Sequence, residues 1–429
     1  MNAPRIFRRT AAGRRLISLA LLLLVLFPGI GLGEDDFLVT EEISLPVETE
    51  SGGEAPNITG DCSLTFSTGK NASYTKRVTD GNNNTSWARG KNKEGWIEIR
   101  PQRPGQLIGS LYLCFDLQPE EWEIQTASGK DWIPVRTGPS PYVHVYIPLE
   151  TPAEAVRFWC PKTKTRTQIA ELRVFGPGSF PQEAQDWQPP TENADILFLA
   201  THADDELIFF GGGIPTYASE RQNRVLVAYL ANCGKRRTHE LLNGLWSMGV
   251  RNYPVISSFE DTAQKTLTKE YQKMGGQNKV RNWVVSLFRQ YRPKVVVTHD
   301  TNGEYGHAQH KVCAAVAKYA YDAAADPSVD PGSAQTWGTW QVQKLYLHLA
   351  KENRITMNWD VPLASLDGIT GLEAAIRAFT YHVSQHEYGM NVTKTGKQYD
   401  NRIFGLVRSE VGTDEAGGDF LEHIDLGAE

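Results

Sequence analysis

The fold of the second half of this chain is decided by residues 196–206, Ile-Leu-Phe-Leu-Ala-Thr-His-Ala-Asp-Asp-Glu. The first five residues are wholly apolar, which is typical of a strand buried on both faces of a parallel sheet. Similar apolar runs occur at 225–230 and 295–298. Segments with helical periodicity alternate with these runs, at 237–248, 280–291 and 310–325. This alternation predicts an α/β domain with a mostly parallel, doubly wound sheet.

A dense polar cluster follows the first of these strands, and a second cluster follows the strand at 295–298. His202 and Asp205 are three residues apart, as are His307 and His310. Parallel strands bring their carboxyl ends to one edge of the sheet, where ligands bind. Two histidines and one aspartate from these ends would form an open set of three metal ligands, and a further carboxylate would serve as general base. The alternative is a group of unrelated polar loop residues.

The second half of the chain resembles the PIG-L/LmbE-like family of zinc-dependent N-deacetylases. Four motifs carry the resemblance, in the family's order: His-Ala-Asp-Asp-Glu at 202–206, Arg-Thr-His-Glu at 237–240, Gly-His-Ala-Gln-His at 306–310 and His-Val-Ser-Gln at 382–385. The family has proline where this chain has Ala203, and we expect that difference to loosen the turn after the strand.

The resemblance implies one zinc ion per chain, with His202, Asp205 and His310 as its ligands. It implies Asp204 as the general base that accepts the proton of the attacking water. It also implies that His307 stabilises the oxyanion or protonates the leaving amine.

The resemblance further implies that Arg237 and His382 contact the substrate. For Arg237 the alternative is a salt bridge to Glu240 or an exposed helix charge, and for His382 it is a packed histidine behind the site. Gln309 stands where the family has aspartate, and an amide does not stabilise an imidazolium by charge. We therefore expect the pKa of His307 to differ from that in the family.

The first half of the chain carries short apolar or alternating runs between turn residues, with no helical stripe among them. These runs lie at 96–99, 110–115, 122–125 and 155–159. The pattern predicts a β-sandwich. Residues 79–87 and 169–176 resemble the discoidin, or coagulation-factor type C, domains, which implies a jelly-roll type of sandwich and carbohydrate binding.

A structural calcium ion in the sandwich is implied by the same resemblance. Asp80, Thr85 and Glu171 supply the hard oxygen ligands that suit Ca²⁺. The alternative is that the Asp-Gly sequence at 80–81 is a simple turn.

The chain is therefore predicted to be multidomain, with a discoidin-like sandwich followed by a Rossmann-like α/β domain. The predicted segments are a signal peptide at 1–33, a linker at 34–59, the sandwich at 60–178, a second linker at 179–193, the deacetylase domain at 194–390 and a C-terminal extension packing on it at 391–429.

The N-terminal segment indicates export. Residues 1–33 carry five arginines and no acid, then an apolar run at 16–27 and the small residues Gly31 and Gly33, which is the pattern of a secretory signal. The alternative is an uncleaved membrane anchor. Removing the segment takes the net charge from −6 to −11. An acidic, secreted or extracytoplasmic protein is not expected to bind nucleic acid.

Five cysteines are present, and three of them, Cys62, Cys114 and Cys160, lie in the first half. Export permits disulfides, so one bridge among these three is expected, with its pairing left open.

Together these features predict an exported zinc hydrolase that removes an N-acetyl group from an N-acetylglucosamine-type amino sugar in a glycan or glycoconjugate. One alternative is a carbohydrate-binding or adhesion protein with a decayed deacetylase domain. Another is a zinc amidohydrolase that acts on a non-sugar amide.

Overall fold

The computed structural model describes residues 53–393 and 399–427. Residues 1–52 lie outside the described part, and with them the predicted signal and most of the first linker.

The first domain consists of two antiparallel sheets. Its strands are β1 (Cys62–Phe66), β2 (Trp87–Arg89), β3 (Gly95–Pro101), β4 (Ile108–Leu117), β5 (Trp122–Ser128), β6 (Asp131–Gly138), β7 (His144–Ala153), β8 (Val156–Cys160) and β9 (Thr167–Phe175). One sheet has the order β1-β3-β8-β5-β6 and the other β2-β9-β4-β7. Both sheets contribute to one buried core, which includes Trp87, Trp122 and Phe158. The predicted arrangement of short strands around a shared core is therefore present.

One helix interrupts these strands, contrary to the sequence-based expectation. Helix α1 (Asn71–Val78) follows β1, and Val78 is its one buried residue. A helix of two turns with a single buried side chain leaves no detectable apolar stripe in the sequence.

The second domain is built on a seven-stranded sheet. Its strands are β10 (Ile196–Ala200), β11 (Val225–Tyr229), β12 (Val255–Ile256), β13 (Val295–Thr298), β14 (Lys344–His348), β15 (Arg354–Thr356) and β16 (Ile403–Ser409). The sheet order is β12-β11-β10-β13-β14-β16-β15. The first five strands in this order pair in parallel, and β16 runs antiparallel to both of its neighbours. The mostly parallel sheet is thus confirmed.

Helices lie between these strands. They are α2 (Asp205–Ile208), α3 (Gly234–Ser247), α4 (Leu267–Lys273), α5 (Gln277–Tyr291), α6 (Ala308–Ala323), α7 (Pro331–Trp337) and α8 (Gly371–Phe379), with a π-helix at Pro215–Glu220. Along β10, Ile196 and Phe198 enter one apolar cluster, whereas Leu197 and Leu199 enter another. Both faces of the strand are therefore covered, which explains its unbroken apolar sequence.

The C-terminal segment packs onto this sheet. Residues 403–409 form β16, and Phe420 is fully buried beside Tyr346 and Phe404. The antiparallel pairing of β16 could not be read from the sequence, because a helix, α8, precedes it just as helices precede the parallel strands.

Residues 179–193 join the two domains and pack against both. Trp187 is buried, and its ring makes edge contacts with Trp246 and Tyr253 of the second domain. Glu183 on the same segment accepts a hydrogen bond from Asn57 and lies beside Arg173 of β9.

A buried pair of histidines also connects the domains. Nε2 of His144, at the start of β7, lies 2.8 Å from Nδ1 of His239 on α3. Nδ1 of His144 contacts Oε1 of Gln185 at 2.7 Å, and Nε2 of His239 lies 3.2 Å from Oδ1 of Asp116. Burial, followed by the neighbouring imidazole of His239, holds the pKa of His144 well below its ordinary value.

This buried histidine predicts a loss of stability in mild acid. His144 is neutral in the folded chain but becomes protonated below about pH 6.5 once the chain unfolds. The unfolded state therefore binds one more proton than the folded state at this residue. As the pH falls below 6.5, this proton lowers the free energy of unfolding by about 1.4 kcal/mol per pH unit. The free energy of unfolding, measured with denaturant between pH 5 and 7, should depend less steeply on pH in His144→Gln than in the wild type. The difference in slope should correspond to about one proton. The exposed His423→Gln is the matched control, and equal slopes for His144→Gln and the wild type would contradict the assignment.

The expected disulfide is not formed. All five cysteines lie within the described residues and are free thiols. Cys62 and Cys160 pair with opposite ends of β3, opposite Pro101 and Gly95, so about 20 Å of strand separates them. Cys114 belongs to a different apolar cluster, on the far side of its sheet.

Within residues 53–393 and 399–427, no helix is long and apolar enough to cross a bilayer.

Candidate metal centre and active site

The site lies where the strand order of the second sheet reverses. From β10 the chain continues to β11 and β12 on one side, and β13 and β14 add to the other side. Such a switch point leaves a crevice outside the carboxyl ends of the two central strands. The polar residues after β10 and after β13 meet in this crevice.

Three potential ligand atoms form a nearly equilateral triangle. Nδ1 of His202 lies 3.1 Å from Oδ2 of Asp205 and 3.1 Å from Nε2 of His310. Nε2 of His310 lies 3.3 Å from the same oxygen of Asp205. A tetrahedral ion with bond lengths of about 2.0–2.1 Å holds its ligand atoms about 3.3 Å apart. The triangle therefore has the dimensions of three ligands around one such ion.

The outer contacts of the two histidines leave a lone pair on each inner nitrogen. Nδ1 of His310 donates to Oε2 of Glu304 at 2.7 Å, so Nε2 is free to bind a metal. Nε2 of His202 donates to Oε1 of Gln309 at 2.8 Å, so Nδ1 is free in the same way. Outer partners of this kind fix the tautomer and orientation of metal-binding histidines. Burial raises the pKa of Asp205, but His310 and His202 outweigh it and hold that pKa well below its ordinary value.

Glu304, to which the sequence analysis gave no role, lies at the centre of a group of histidines. Its carboxylate accepts from His310 and also from Nδ1 of His299 and Nδ1 of His348, each at 3.1 Å. The backbone N–H of Asp300 donates to it at 3.0 Å. Its side chain is fully buried. The signal was available, because Glu304 lies between the β13 strand and His307, but a single carboxylate in a loop does not reveal which histidines will surround it.

Asp204 lies beside the triangle in a strained backbone conformation. Its φ of 132° is in the region that favours glycine. Its Oδ1 accepts from Arg237 at 2.8 Å, and its backbone N–H donates to Glu206 at 2.9 Å. Burial and the adjacent charge of Asp205 raise the pKa of Asp204 to about 8, although Arg237 opposes the rise. The strained backbone and the raised pKa are both typical of a functional carboxylate.

His307 faces the same crevice from the start of α6. Its ring lies 4.8 Å from the rings of both His202 and His310. Burial, and then these two histidines, lower the pKa of His307 to about 4, so its imidazole is neutral near pH 7. Its Nδ1 is buried without a hydrogen-bond partner in the described structure.

His202, Asp204, Asp205 and His307 line a cavity of about 720 Å³. Its lining combines polar and apolar side chains, among them Asp204, Arg237, Asp261, His307, Gln385, Ile208, Phe209, Tyr305, Tyr388 and Met390. Tyr305 and Tyr388 are at least half exposed. Asp261, Tyr305 and Gln385 had no predicted role as individual residues.

The structure decides between the alternatives for Arg237. Its guanidinium bonds Asp204, and it reaches Oδ2 of Asp261 at 3.1 Å. The neighbouring Arg236 makes the salt bridge to Glu240. Arg237 therefore lies in the cavity wall.

The expectation that His382 contacts the substrate is corrected. Its side chain is fully buried, stacks on Phe379, and lies 3.8 Å from Oε1 of Glu206 behind the crevice. Gly244 of α3 leaves room for this ring, because a Cβ there would lie 3.1 Å from Nε2 of His382. The alternative of a packed histidine is the one observed.

The expected influence of Gln309 on His307 is also corrected. The amide of Gln309 bonds His202, and its other partners are the backbone groups of Glu260 and Thr262. Gln309 follows His307 by only two residues, so the two side chains leave the start of α6 in different directions.

The residues predicted to bind calcium lie together in the sandwich. Oγ1 of Thr85 is 2.7 Å from the carbonyl of Arg77, 2.9 Å from Oδ2 of Asp80 and 3.2 Å from the carbonyl of Asn82. Glu171 accepts from the N–H of Gly81 at 3.2 Å. Burial raises the pKa of Glu171 to about 7. A buried carboxylate beside converging oxygens fits a Ca²⁺ site.

Residues 197–321 match the family described as PIG-L: GlcNAc-PI de-N-acetylase. This range includes both strand ends that form the crevice and every residue of the ligand triangle. His382 and the sandwich lie outside it.

The chain is similar to a 1D-myo-inositol 2-acetamido-2-deoxy-alpha-D-glucopyranoside deacetylase of Geodermatophilus obscurus, with 28% identity over 43% of this chain and 74% of that protein. Among solved structures, it matches N,N'-diacetylchitobiose deacetylase from Pyrococcus horikoshii at 18% identity and a TM-score of 0.34, over 47% of this chain and 74% of that one. It also matches an F5/8 type C domain from Bacteroides fragilis at 18% identity and a TM-score of 0.25, over 30% of this chain and 99% of that one.

Proposed function

Because this chain carries a PIG-L family domain at residues 197–321, we propose that it is a zinc-dependent hydrolase that removes the N-acetyl group of an amino sugar. The proposed substrate is an N-acetylglucosamine-type residue in a glycan or glycoconjugate. We place the protein outside the cytoplasm, on the evidence of the signal-like sequence at 1–33.

The observation that carries the proposal is the ligand triangle with a separate carboxylate beside it. His202, Asp205 and His310 present three donor atoms at 3.1–3.3 Å from one another. Two nitrogens and one carboxylate oxygen form the type of set that catalytic zinc uses, in which a fourth position stays open. Asp204 lines the same cavity and is not needed as a ligand.

Bound zinc would supply Lewis acidity toward the amide carbonyl and lower the pKa of a water molecule toward ~7. A cation bound beside Asp204 would lower its raised pKa and leave it as a carboxylate. Asp204 would then accept the proton of the attacking water and return it to the nitrogen of the leaving amine, as a general base and then a general acid. Its hydrogen bond to Arg237 keeps the carboxylate oriented. The neutral His307 donates a hydrogen bond where negative charge develops on the carbonyl oxygen.

The cavity wall suits a sugar amide. Asp261, Arg237 and Gln385 offer hydrogen-bonding groups to hydroxyls, and Phe209 and Met390 offer apolar surface to an acetyl methyl group and a ring face. A decayed domain in a carbohydrate-binding protein is disfavoured, because the ligand triangle, its outer partners and the proposed base are all intact.

The experiment that tests the substrate class is a comparison of acetate release. N,N'-diacetylchitobiose and longer N-acetylglucosamine oligomers are compared with a panel of N-acetylated amino acids and polyamines. Faster release from the sugars supports the proposal. Release from non-sugar amides alone would favour the amidohydrolase alternative, and release from none, with no zinc bound, would favour the binding protein.

We also propose a structural calcium ion in the sandwich, held by Asp80, Thr85 and Glu171. Burial raises the pKa of Glu171 even though Arg173 lies 3.8 Å away and opposes the rise, and a bound cation would offset more of that unfavourable burial. The ion would brace the turn at 79–85 against β9.

We predict that Ca²⁺ stabilises the folded protein and that Glu171→Gln abolishes the effect. Binding at 100 times the dissociation constant adds about 2.7 kcal/mol to the free energy of unfolding. Extracellular calcium modules bind at about 10⁻⁴–10⁻³ M, so denaturant unfolding is compared in 10 mM Ca²⁺ and in EGTA. Asp131→Asn, an exposed carboxylate of β6, is the matched control. Equal stability of the wild type with and without Ca²⁺ would exclude the site.

A further inference from the structure

Gln309 joins a metal ligand to a loop of the cavity wall. Its fully buried amide oxygen accepts from Nε2 of His202 at 2.8 Å and from the backbone N–H of Thr262 at 3.1 Å. Its amide nitrogen donates to the backbone carbonyl of Glu260 at 2.8 Å. One side chain thus holds both ends of the peptide that carries Asp261.

Asp261 is the part of this loop that faces the cavity. Its side chain is 36% exposed and lies 3.1 Å from Arg237 and 3.5 Å from Nε2 of His202. It is therefore available to accept hydrogen bonds from substrate hydroxyls, provided that the loop is fixed.

The far end of the loop is held by a second buried side chain. Glu270 of α4 is fully buried, and its carboxylate accepts from Thr262 and from the backbone N–H of Gln264. With Glu270 on one side and Gln309 on the other, residues 260–264 have little freedom to move away from the cavity.

We propose that Gln309 is a positioning residue that fixes the loop at 260–262, whose Asp261 faces the substrate cavity, to the metal ligand His202. This inference rests on the proposed function, since it takes His202 as a zinc ligand. The contacts require an amide, because the group must accept from two N–H donors and donate to a carbonyl oxygen. A carboxylate accepts from both donors but repels the carbonyl of Glu260.

The same contacts predict that a carboxylate at position 309 has opposite effects on zinc affinity and on the order of the loop. A carboxylate at position 309 would support His202 better than a neutral amide does, because a charged acceptor raises the basicity of a metal-binding imidazole. It would also release the loop at Glu260. The amide therefore favours an ordered loop over the tightest metal binding.

The test is Gln309→Glu in the full chain, with three measurements. Zinc affinity, measured by chelator competition, should tighten by about tenfold, within the range that outer partners of metal ligands control. Backbone hydrogen exchange of residues 259–264 should accelerate by about tenfold, as expected for the loss of one buried hydrogen bond. For N,N'-diacetylchitobiose, KM should rise while kcat at saturating zinc is retained.

Gln341→Glu is the matched control. Gln341 also donates its amide to a backbone carbonyl, that of Val342, at the opposite edge of the sheet. This variant should leave zinc affinity, loop exchange and KM unchanged. Weaker zinc binding in Gln309→Glu would overturn the inference, because it would mean that the substitution damages the site as a whole. Unchanged hydrogen exchange of the loop would also overturn it, because Gln309 would then not hold the loop. A wild type that binds no zinc and releases no acetate would reject the proposed function, while hydrogen exchange still decides whether Gln309 fixes the loop.

Discussion

Asp204→Asn is expected to retain zinc and to lose about 10²–10⁴-fold in kcat, the contribution of a positioned general base. The amide keeps the shape of the side chain and its oxygen still accepts from Arg237, but it takes no proton from water. Asparagine differs from aspartate only in the end of its side chain, so the substitution adds no new backbone strain at the φ of 132°. Steady-state rates and zinc content of the purified variant are the measurements.

Asp261→Asn is the matched comparison for this variant. Asp261 bonds the same arginine and lies in the same cavity, yet it has no proposed role in proton transfer. We expect a raised KM and a much smaller effect on kcat. A loss of kcat in Asp261→Asn as large as in Asp204→Asn would move the role of base away from Asp204.

Asp205→Asn and His310→Ala are expected to lose zinc. Asparagine replaces a charged ligand by a neutral oxygen, and alanine removes a ligand altogether. The loss in affinity should exceed the ~10–100-fold that follows the loss of an outer partner of a ligand. Metal analysis after dialysis, together with chelator competition, measures the change.

The adjacent aspartates serve as controls for each other. Zinc lost in Asp204→Asn and retained in Asp205→Asn would exchange their roles while leaving a zinc site in place. Zinc retained in Asp205→Asn, His310→Ala and His202→Ala alike would mean that the triangle is not the metal site.

The central strands were predictable because their environment leaves a simple pattern. The bounds of β10 and β13 equal the predicted 196–200 and 295–298, since both faces of each strand are covered and every side chain except that of Thr298 is apolar. Helix α3 begins three residues earlier than predicted, at Gly234, because its first turn is polar and carries no periodic signal. The short helix α1 left no signal for a related reason.

The grouping of His202, Asp205 and His310 was predictable from topology, since two parallel strand ends must meet at one edge. The partners around them were not. Glu304 contacts histidines from three segments of the chain. Gln309 contacts His202 rather than His307, the residue that the sequence analysis expected it to influence. Which partners Glu304 and Gln309 contact depends on the directions of the side chains at the start of α6, and these directions cannot be read from the sequence.

The inward position of His382 was only one of two alternatives that the sequence allowed, for another reason. It depends on a gap beside Gly244, 138 residues away in the chain, and on Glu206 lying behind the crevice. The junction between the domains is similar, because His144 and His239 are unremarkable in sequence and become partners only when the sandwich packs on α3.

The most direct measurement is a zinc titration of chelator-stripped protein, followed by acetate release from N,N'-diacetylchitobiose. The account predicts no release from the stripped protein, and a rate that rises with added zinc and levels off at about one equivalent per chain. Undiminished release after the metal has been removed, or no release at any zinc level alongside release from a non-sugar amide, would contradict it.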